Sequence, residues 1–318
     1  MTPTQLRTYA EVVRLGSSKA AAESLGITEA AVSSNLSSLR KELADPLFSR
    51  SSGGLAFTPG GMRLASRAVE MLGLQDQTIT EVKAAANGRR MLRIGVSSMF
   101  GEYAAPGLIE LFSKRARDLD VEMSERPADD FERLLGARLI DLAIGPTVSV
   151  GPSIRSVGFL RYQIVPVTGP RSPLANRRVG REELAASRWF LGPSAALPSS
   201  SSSRLLARLG VPEEQQLVFQ SNAAALNEIQ NEHGIALVPA HRVSAEVKAG
   251  RVAAIDAAGV MHDGIWTAYG LAGTNLPSPA EELLRFVSTP RATQAMLNGS
   301  GANISRFRPK VHVTLWNG

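Results

Sequence analysis

Two short helices separated by a glycine turn, over residues 17–43, constrain the fold more than any other stretch of the chain. Ser17 or Ser18 can cap a helix that runs from Lys19 to Leu25, and Gly26 supplies the turn that ends it. Thr28 then caps a further helix. Its apolar residues recur at helical spacing along one side, namely Ala31, Val32, Leu36, Leu39 and Leu43. The pattern predicts two crossed helices whose inward faces share one core.

The flanking residues complete a winged helix-turn-helix. Thr2 can cap a first helix that begins at Pro3, and Ile27 is expected to fill the gap before the third helix. Residues 50–57, RSSGGLAF, place a Ser-Gly-Gly turn between two extended arms, which is typical of a β-wing. Residues 1–58 are therefore predicted to form an all-α winged helix-turn-helix domain.

A long helix follows the wing. Thr58 and Pro59 form a strong helix start, and helical composition continues to about residue 86, a length of about 40 Å at 1.5 Å per residue. A heptad-like seam is formed by Ala65, Leu72, Ile79 and Ala86, with Ala68 and Val82 between them. Such a seam predicts that residues 59–88 are a linker helix that pairs with a second copy in a homodimer. An ordinary long connector is the alternative.

Strands and helices alternate from residue 91 onward. The strand-like stretches lie at 92–96, 120–125, 141–145, 157–169, 188–192, 216–221, 234–239 and 266–273. Alternation predicts right-handed βαβ units in open, doubly wound sheets. One sheet would be too small for this many strands. We therefore predict a two-lobed α/β domain over 91–298, with lobe I at about 91–161 and 267–298 and lobe II at about 162–266.

The composition limits the class of protein. Hydrophobic residues make up 44% of the chain, and the formal net charge of +6 mildly favours an anionic partner such as nucleic acid. The absence of cysteine excludes a disulfide framework and a thiol nucleophile. No apolar run approaches the roughly 20 residues that span a bilayer, and the N-terminus lacks the apolar core of a signal peptide. We expect a cytoplasmic protein with no membrane partner.

The sequence lacks the signatures of an enzyme. Met99 occupies the final glycine position of a nucleophile elbow in residues 95–99, and there is no P-loop, G-x-G-x-x-G or H-E-x-x-H motif. The four histidines show no metal-ligand spacing. We predict no catalytic residue, no metal and no cofactor. A solute-binding protein for transport would share the two lobes, but the first 90 residues and the missing signal peptide argue against it.

The motifs resemble one family. Four segments within residues 6–61, LRTYAEVVRLGSSKAAAESLGIT, AAVSSNLSSLRKEL, PLFSR and LAFTPGG, are similar to the N-terminal domain of LysR-type transcriptional regulators. LRIGVSS, LIDLAIG and EHGIALVP resemble the effector-binding half more loosely, so the resemblance extends to about residue 298. It implies a bacterial regulator that binds double-stranded operator DNA and holds a small-molecule effector between its lobes. The resemblance alone also implies assembly beyond the homodimer, into a homotetramer.

The predicted DNA contacts lie on the second and third helices, at the end of the third helix and on the wing. They are Ser17, Ser18, Lys19, Thr28, Glu29, Ala30, Ser33, Ser34, Asn35, Ser38, Arg40, Arg50, Ser51 and Ser52. Glu29 stands where the family usually has a glutamine, and a carboxylate is repelled by phosphate. Residues 1–67 hold eight basic and five acidic residues. We predict DNA binding with a weak salt dependence; a degenerate winged helix that binds protein is the alternative.

The predicted effector contacts follow three strands, where helix N-termini present free amides. They are Ser97 and Ser98, Thr147, and Ser221 and Asn222; the resemblance points to the same cleft between lobes. Each residue could instead be a plain helix cap. Hydroxyls and helix N-termini faintly favour a small carboxylate or another anion as the effector. The serine run 199–203 is predicted to be a loop and helix cap, with hydroxyls at the cleft mouth as the alternative.

The C-terminal extension, residues 299–318, lies beyond the usual end of the family's domain. Its segment KVHVTLW alternates apolar and polar residues, as a strand does. We predict a strand added to a sheet edge, either of this chain or of its dimer partner. A frayed tail is the alternative.

Overall fold

The computed structural model describes residues 1–51, 54–196, 200–230, 234–257, 262–273 and 276–298. The chain divides into two compact units, the first comprising Met1–Asn87 with Gly136–Leu139 and the second Gly88–Leu135 with the residues from Ile140 onward. The predicted division at about residue 88 coincides with the end of the first unit's main segment. The extension 299–318, with its predicted strand, lies outside the described residues.

The first unit is a winged helix-turn-helix followed by a long helix. Its elements are α1 (Pro3–Leu15), α2 (Ser18–Leu25), α3 (Glu29–Leu43), β1 (Phe48–Ser51), β2 (Gly54–Phe57) and α4 (Pro59–Ala86). Each predicted cap is present: the hydroxyls of Ser17, Thr28 and Thr58 accept hydrogen bonds from backbone amides three residues ahead. Gly26 ends α2 with φ +65°, a left-handed conformation that glycine adopts without strain.

The core of the first unit is formed by the inward faces of α1, α2 and α3 together with β1. It contains Tyr9, Val12, Ala21, Ala22, Val32, Leu36, Leu39, Leu47 and Phe48. The Tyr9 hydroxyl donates to the Gly61 carbonyl at 2.9 Å, which ties α1 to the start of α4. Two burial predictions were wrong: Ile27 is 37% exposed and Leu43 is 40% exposed. The Ile27 amide closes the turn by donating to the Ala22 carbonyl at 3.0 Å while its side chain stays exposed, and Leu43 is the last residue of α3.

The residues of the predicted seam on the long helix α4 differ in their exposure to solvent. Ala68 is fully buried, so part of the seam already packs inside the first unit. Ile79 and Val82 are 43% and 63% exposed, and Met71 and Leu74 are exposed as well. The spacing of these four residues places them on one broad side of the helix. The second half of α4 therefore carries an exposed apolar face, called here the α4 face and formed by Met71, Leu74, Ile79 and Val82.

The second unit is built on one mixed sheet. Its strands are β3 (Arg90–Val96), β4 (Leu119–Glu125), β5 (Leu142–Pro146), β6 (Ile154–Thr168), β7 (Trp189–Leu191), β8 (Gln216–Val218), β9 (Ile235–Pro239), β10 (Ala253–Ala254) and β11 (His262–Leu271). The described strands pair in the order β4-β3-β5-β11-β6-β9-β7-β8, with β10 on β6. Each of the eight predicted strand-like stretches overlaps one of these strands, although residues 219–221 of one stretch lie beyond β8.

The described strands of the second unit form one sheet and not the separate sheets that were predicted, and this sheet is not fully parallel. Strands β4, β3 and β5 are parallel to one another, and so are β9, β7 and β8. The long strands β6 and β11 pair antiparallel between the two sets. The predicted chain crossings near residues 161 and 266 fall inside these two strands, because a single extended strand can pass from one set to the other. The lobe boundaries themselves stay a prediction.

Helices cover this sheet. They are α5 (Ser98–Tyr103), α6 (Ala105–Arg115), α7 (Phe131–Gly136), α8 (Arg181–Ala186), α9 (Ser201–Leu209), α10 (Asn222–Glu228), α11 (Ala240–Lys248), α12 (Ser278–Val287) and α13 (Pro290–Asn298). Ser200 caps α9 by accepting from the Ser203 amide at 3.0 Å, as predicted for the serine run. No helix among the described residues is long and apolar enough to cross a membrane.

Candidate functional site

The outward side of α3 is a short polar surface. Glu29, Ala30, Ser33, Ser34 and Ser38 are all exposed, while Val32, Leu36 and Leu39 on the opposite side are buried. Lys19 and Thr28 are exposed beside this surface, whereas Ser17 and Ser18 are half-buried at the start of α2. The amphipathic division leaves the serine-rich side of α3 free to contact a duplex.

Two of the predicted DNA contacts serve the domain itself. Asn35 is half-buried, and its amide donates to the Thr8 hydroxyl at 2.9 Å. The Arg40 guanidinium donates to the carbonyls of Pro46 and Phe48 and lies over the Phe48 ring at 4.6 Å. Both side chains therefore join α3 to neighbouring elements. Because the Arg40 guanidinium is held in this way, less positive charge is available to bind phosphate.

The wing carries the remaining predicted contacts. Strands β1 and β2 pair antiparallel, with Phe48 opposite Phe57 and Ser51 opposite Gly54, so the predicted hairpin is present. Arg50 and Ser51 lie on β1. Ser52 lies outside the described residues. The roles of all three residues stay a prediction.

A cleft of about 640 Å³ opens in the second unit. It lies where strands β3, β4 and β5 end, and it is lined by residues that follow those strands together with residues of β6, β11 and α9. Of the predicted effector contacts, Ser97, Ser98 and Thr147 are among its lining. Ser200 and Ser201 line the cleft too. The serine run therefore both caps a helix and contributes residues to the cleft, which were the two alternatives for it.

An aromatic pair forms one wall of the cleft. The rings of Tyr162 and Trp266 stack with centroids 3.8 Å apart, and Phe100 meets Trp266 edge-on at 5.3 Å. Gly264 lies opposite Tyr162 in the sheet, and a side chain there would overlap the tyrosine ring. Burial raises the pKa of Tyr162 to about 12, partly offset by a hydrogen bond with Ser201. Sequence reasoning missed this wall.

The predicted serine and threonine contacts are held differently from one another. The Ser97 amide donates to the Ile144 carbonyl at 3.0 Å. The Ser97 hydroxyl does not cap α5, which was the alternative role for this residue, and it has no hydrogen-bond partner among the described residues. Thr147 places its hydroxyl 2.8 Å from that of Thr267 and 3.2 Å from the Ile265 carbonyl. Ser97 is thus the freer group for a ligand.

The predicted effector contacts Ser221 and Asn222 do not line the cleft. Ser221 caps α10 by accepting from the Ala224 amide at 3.0 Å. The Glu102 carboxylate occupies the N-terminus of α10 instead, accepting from the Asn222 amide at 2.8 Å, from its side-chain nitrogen at 3.0 Å and from the Ala223 amide at 2.8 Å. This corrects the prediction: an anion of the chain itself holds the site that a ligand was expected to fill.

The cleft also contains charged groups. Arg126, Arg204, Glu125 and Asp129 are part of its lining. Partial desolvation in the cleft wall raises the pKa of the Glu125 carboxyl, and the nearby Glu102 carboxylate raises it further. Among the described residues, no group of three or more His, Asp or Glu side chains could hold a metal ion. The arrangement is suited to binding an organic molecule with polar ends.

Two protein families and several known regulators are similar to this chain. Residues 3–62 match the family described as "Bacterial regulatory helix-turn-helix protein, lysR family". Residues 85–289 match "LysR substrate binding domain". An uncharacterized HTH-type transcriptional regulator of Mycobacterium tuberculosis is 51% identical over 321 residues, covering 100% of both chains. The HTH-type transcriptional regulator CbbR of Rhizobium meliloti is 29% identical over 79% of this chain and 81% of its own.

Solved structures share the fold. A crystal structure of CbnR, described as a LysR family transcriptional regulator, superposes with a TM-score of 0.57 at 19% identity, covering 93% of this chain and 99% of that one. Full-length CbnR complexed with its target DNA gives a TM-score of 0.55 at 20% identity, covering 90% and 99%. At this identity the likeness establishes the architecture, a helix-turn-helix domain followed by an α/β domain.

Proposed function

This chain belongs to the LysR family of DNA-binding transcriptional regulators, and from that premise we propose that it reads an operator with the outward side of α3 and responds to a small molecule bound in its cleft. The amphipathic division of α3 carries the first part of the proposal, since one side is buried and the other is exposed and polar. Such a helix can approach base edges in a major groove, with its serines and N-terminal amides contacting bases or phosphate.

The α4 face supports pairing of two chains. Four apolar side chains on one side of an exposed helix are seldom left in water, and a second copy offers the same side in return. A homodimer would present two copies of α3 to adjacent half-sites of an operator. Assembly of dimers into tetramers is part of the same proposal.

The cleft supports control by an effector. Its size is within the range of small-molecule sites, and its lining combines apolar walls with a few polar groups. A ligand that binds one conformation of the second unit more tightly than another would shift the balance between them and so change DNA binding. We propose a binding role for the cleft and no catalytic one, since the described polar groups of its lining include no hydrogen-bonded pair of nucleophile and base.

Selection from pooled genomic fragments tests the proposal. The full chain should retain a small set of fragments that share an inverted repeat, and a chain lacking residues 1–88 should retain none of them while still binding small molecules. Retention of the same fragments by the shortened chain would place DNA binding elsewhere. Recovery of no enriched fragment by the full chain would contradict the regulator assignment.

We expect Ser34→Asp to weaken operator binding about tenfold, because a carboxylate on the exposed side of α3 is repelled by phosphate. Fluorescence anisotropy with a labelled operator measures the change. Ser156→Asp, which alters an exposed serine of the second unit, is the matched control and should leave affinity unchanged. An equal loss in both variants would show that added negative charge anywhere on the chain is sufficient.

The salt dependence of operator binding should be shallow. Arg40 is held by backbone carbonyls, and Glu29 adds an exposed acid to α3, so few phosphates can be neutralised by each protomer. The slope of log affinity against log salt reports the number of phosphates contacted. A slope of about −7 or steeper per protomer would correspond to roughly eight contacts and would contradict this expectation.

A further inference from the structure

The polar groups of the cleft narrow the class of ligand it can hold. Resting on the proposed effector role of this cleft, we propose that it binds a small apolar zwitterion with one carboxylate and one ammonium, of the chemistry of an aromatic amino acid. The proposal departs from a purely anionic effector, which the sequence faintly favoured, because the charges that line the cleft are of both signs.

The apolar part of such a ligand matches the aromatic wall. Trp266 is 1% exposed and stacks on Tyr162, and Phe100 supports it from the side. Met99 and Phe219 add apolar surface to the lining. A ligand side chain packed among these groups would gain both burial and ring contacts.

The carboxylate matches four donors of the lining that have no hydrogen-bond partner among the described residues. They are the hydroxyls of Ser97 and Ser98, the Arg126 Nε and the Trp266 Nε1. The indole and guanidinium groups can only donate, so both need an acceptor. Ser97 and Arg126 follow the neighbouring strands β3 and β4, and Trp266 lies opposite Pro146 at the end of β5. Buried donors without partners are costly, and a ligand carboxylate at the ends of these strands would supply an acceptor there, with charge assistance from Arg126.

The ammonium matches the acids of the lining. Glu125 and Asp129 formally balance Arg126 and Arg204 among the described lining residues. A ligand with two carboxylates would therefore meet like charge in the same cleft, whereas an ammonium would meet opposite charge. Burial already raises the pKa of Glu125, and a ligand ammonium beside this carboxyl would lower it again.

Four probes that share a benzyl group separate the contributions of the ligand's carboxylate and its ammonium to binding. They are L-phenylalanine, 3-phenylpropanoate without the ammonium, 2-phenylethylamine without the carboxylate, and benzylmalonate with a second carboxylate in place of the ammonium. Calorimetric titration of the full chain should give the tightest binding for L-phenylalanine, by about tenfold or more over each of the others. Equal or tighter binding of benzylmalonate or 3-phenylpropanoate would overturn the proposal, as would no binding of any probe at about 10 mM.

Two variants test which residue of the cleft binds each charged end of the ligand. Glu125→Gln should reduce affinity for L-phenylalanine about tenfold and leave 3-phenylpropanoate unchanged, because only the former carries an ammonium. Arg126→Gln should reduce affinity for both and leave 2-phenylethylamine unchanged. Glu122→Gln, on the same strand but outside the cleft lining, is the matched control. If a variant fails to fold, the order of the wild-type chain's affinities for the four probes still tests the proposal.

Operator binding is measured separately on the unliganded chain. Retained operator binding that another small molecule alters, together with failure of the four probes, would overturn only the zwitterion class. Absence of any operator binding would overturn the proposed function itself, whatever the probes do.

Discussion

Replacing Leu74 and Val82 together by glutamate is expected to convert the proposed homodimer into monomers and to weaken operator binding about 100-fold. Both side chains belong to the α4 face and are exposed, 48% for Leu74 and 63% for Val82, so the change should not disturb the core of the first unit. In the dimer, however, four carboxylates would be brought together in an apolar contact, where burying unpaired charge is strongly unfavourable. Loss of the second protomer then removes the gain from binding two half-sites at once.

Analytical ultracentrifugation measures the assembly, and anisotropy with a two-half-site operator measures the affinity. Ser66→Glu adds charge to an exposed position on a different side of the same helix and is the control, expected to remain dimeric with unchanged affinity. A dimeric Leu74→Glu, Val82→Glu chain would show that two copies join through another surface. A monomer with unchanged affinity would show that pairing is not what strengthens DNA binding.

The first unit was predictable because its signals act over a few residues. A threonine or serine cap, proline at the first helical position and glycine at a turn each bias only the neighbouring backbone, so Thr28, Pro59 and Gly26 could be interpreted without knowing the tertiary structure. The contacts that Asn35 and Arg40 make within the domain could not be predicted, because their partners, Thr8 and Phe48, come from elements that meet α3 only after folding.

The cleft was predictable only in part for the same physical reason. Ser97 and Thr147 follow strands, and a position after a strand can be identified from sequence. The aromatic wall depends on the antiparallel register of β6 with β11, which sets Gly264 opposite Tyr162. No local pattern encodes that register, and none indicates that Glu102 reaches the N-terminus of α10 from 120 residues away.

Glu102→Ala should lower the free energy of unfolding of the second unit by about 2–3 kcal/mol. The variant removes the only described acceptor of the Asn222 side-chain nitrogen and leaves the two amides at the start of α10 without their carboxylate. Asn222 is buried, so water cannot readily replace the missing oxygen. Because α5 follows β3 and α10 precedes β9, this carboxylate connects the two parallel sets of strands, and its loss should also alter the response to a ligand.

Ser221→Ala is the matched control, since it removes a cap at the same end of α10 without touching Glu102. It should lower stability by about 1 kcal/mol and leave the ligand response unchanged. Urea unfolding followed by fluorescence measures both variants. A loss in Glu102→Ala no larger than that in Ser221→Ala would contradict the role assigned to the carboxylate.

Acid pH gives an independent check on Glu102, with a definite sign. Burial raises the pKa of this carboxyl above its ordinary value of 4.5, against the opposing effect of the hydrogen bonds from Asn222 and Ala223. The folded chain therefore binds a proton more readily than the unfolded chain does. Glu102→Gln does not titrate at this position and serves as the reference. As the pH falls through the raised pKa of Glu102 in the folded chain, the wild-type chain should gain stability relative to this variant. The gain should be complete below pH 4.5. A constant difference between the two across this range would mean that Glu102 titrates alike in both states and is not held away from water.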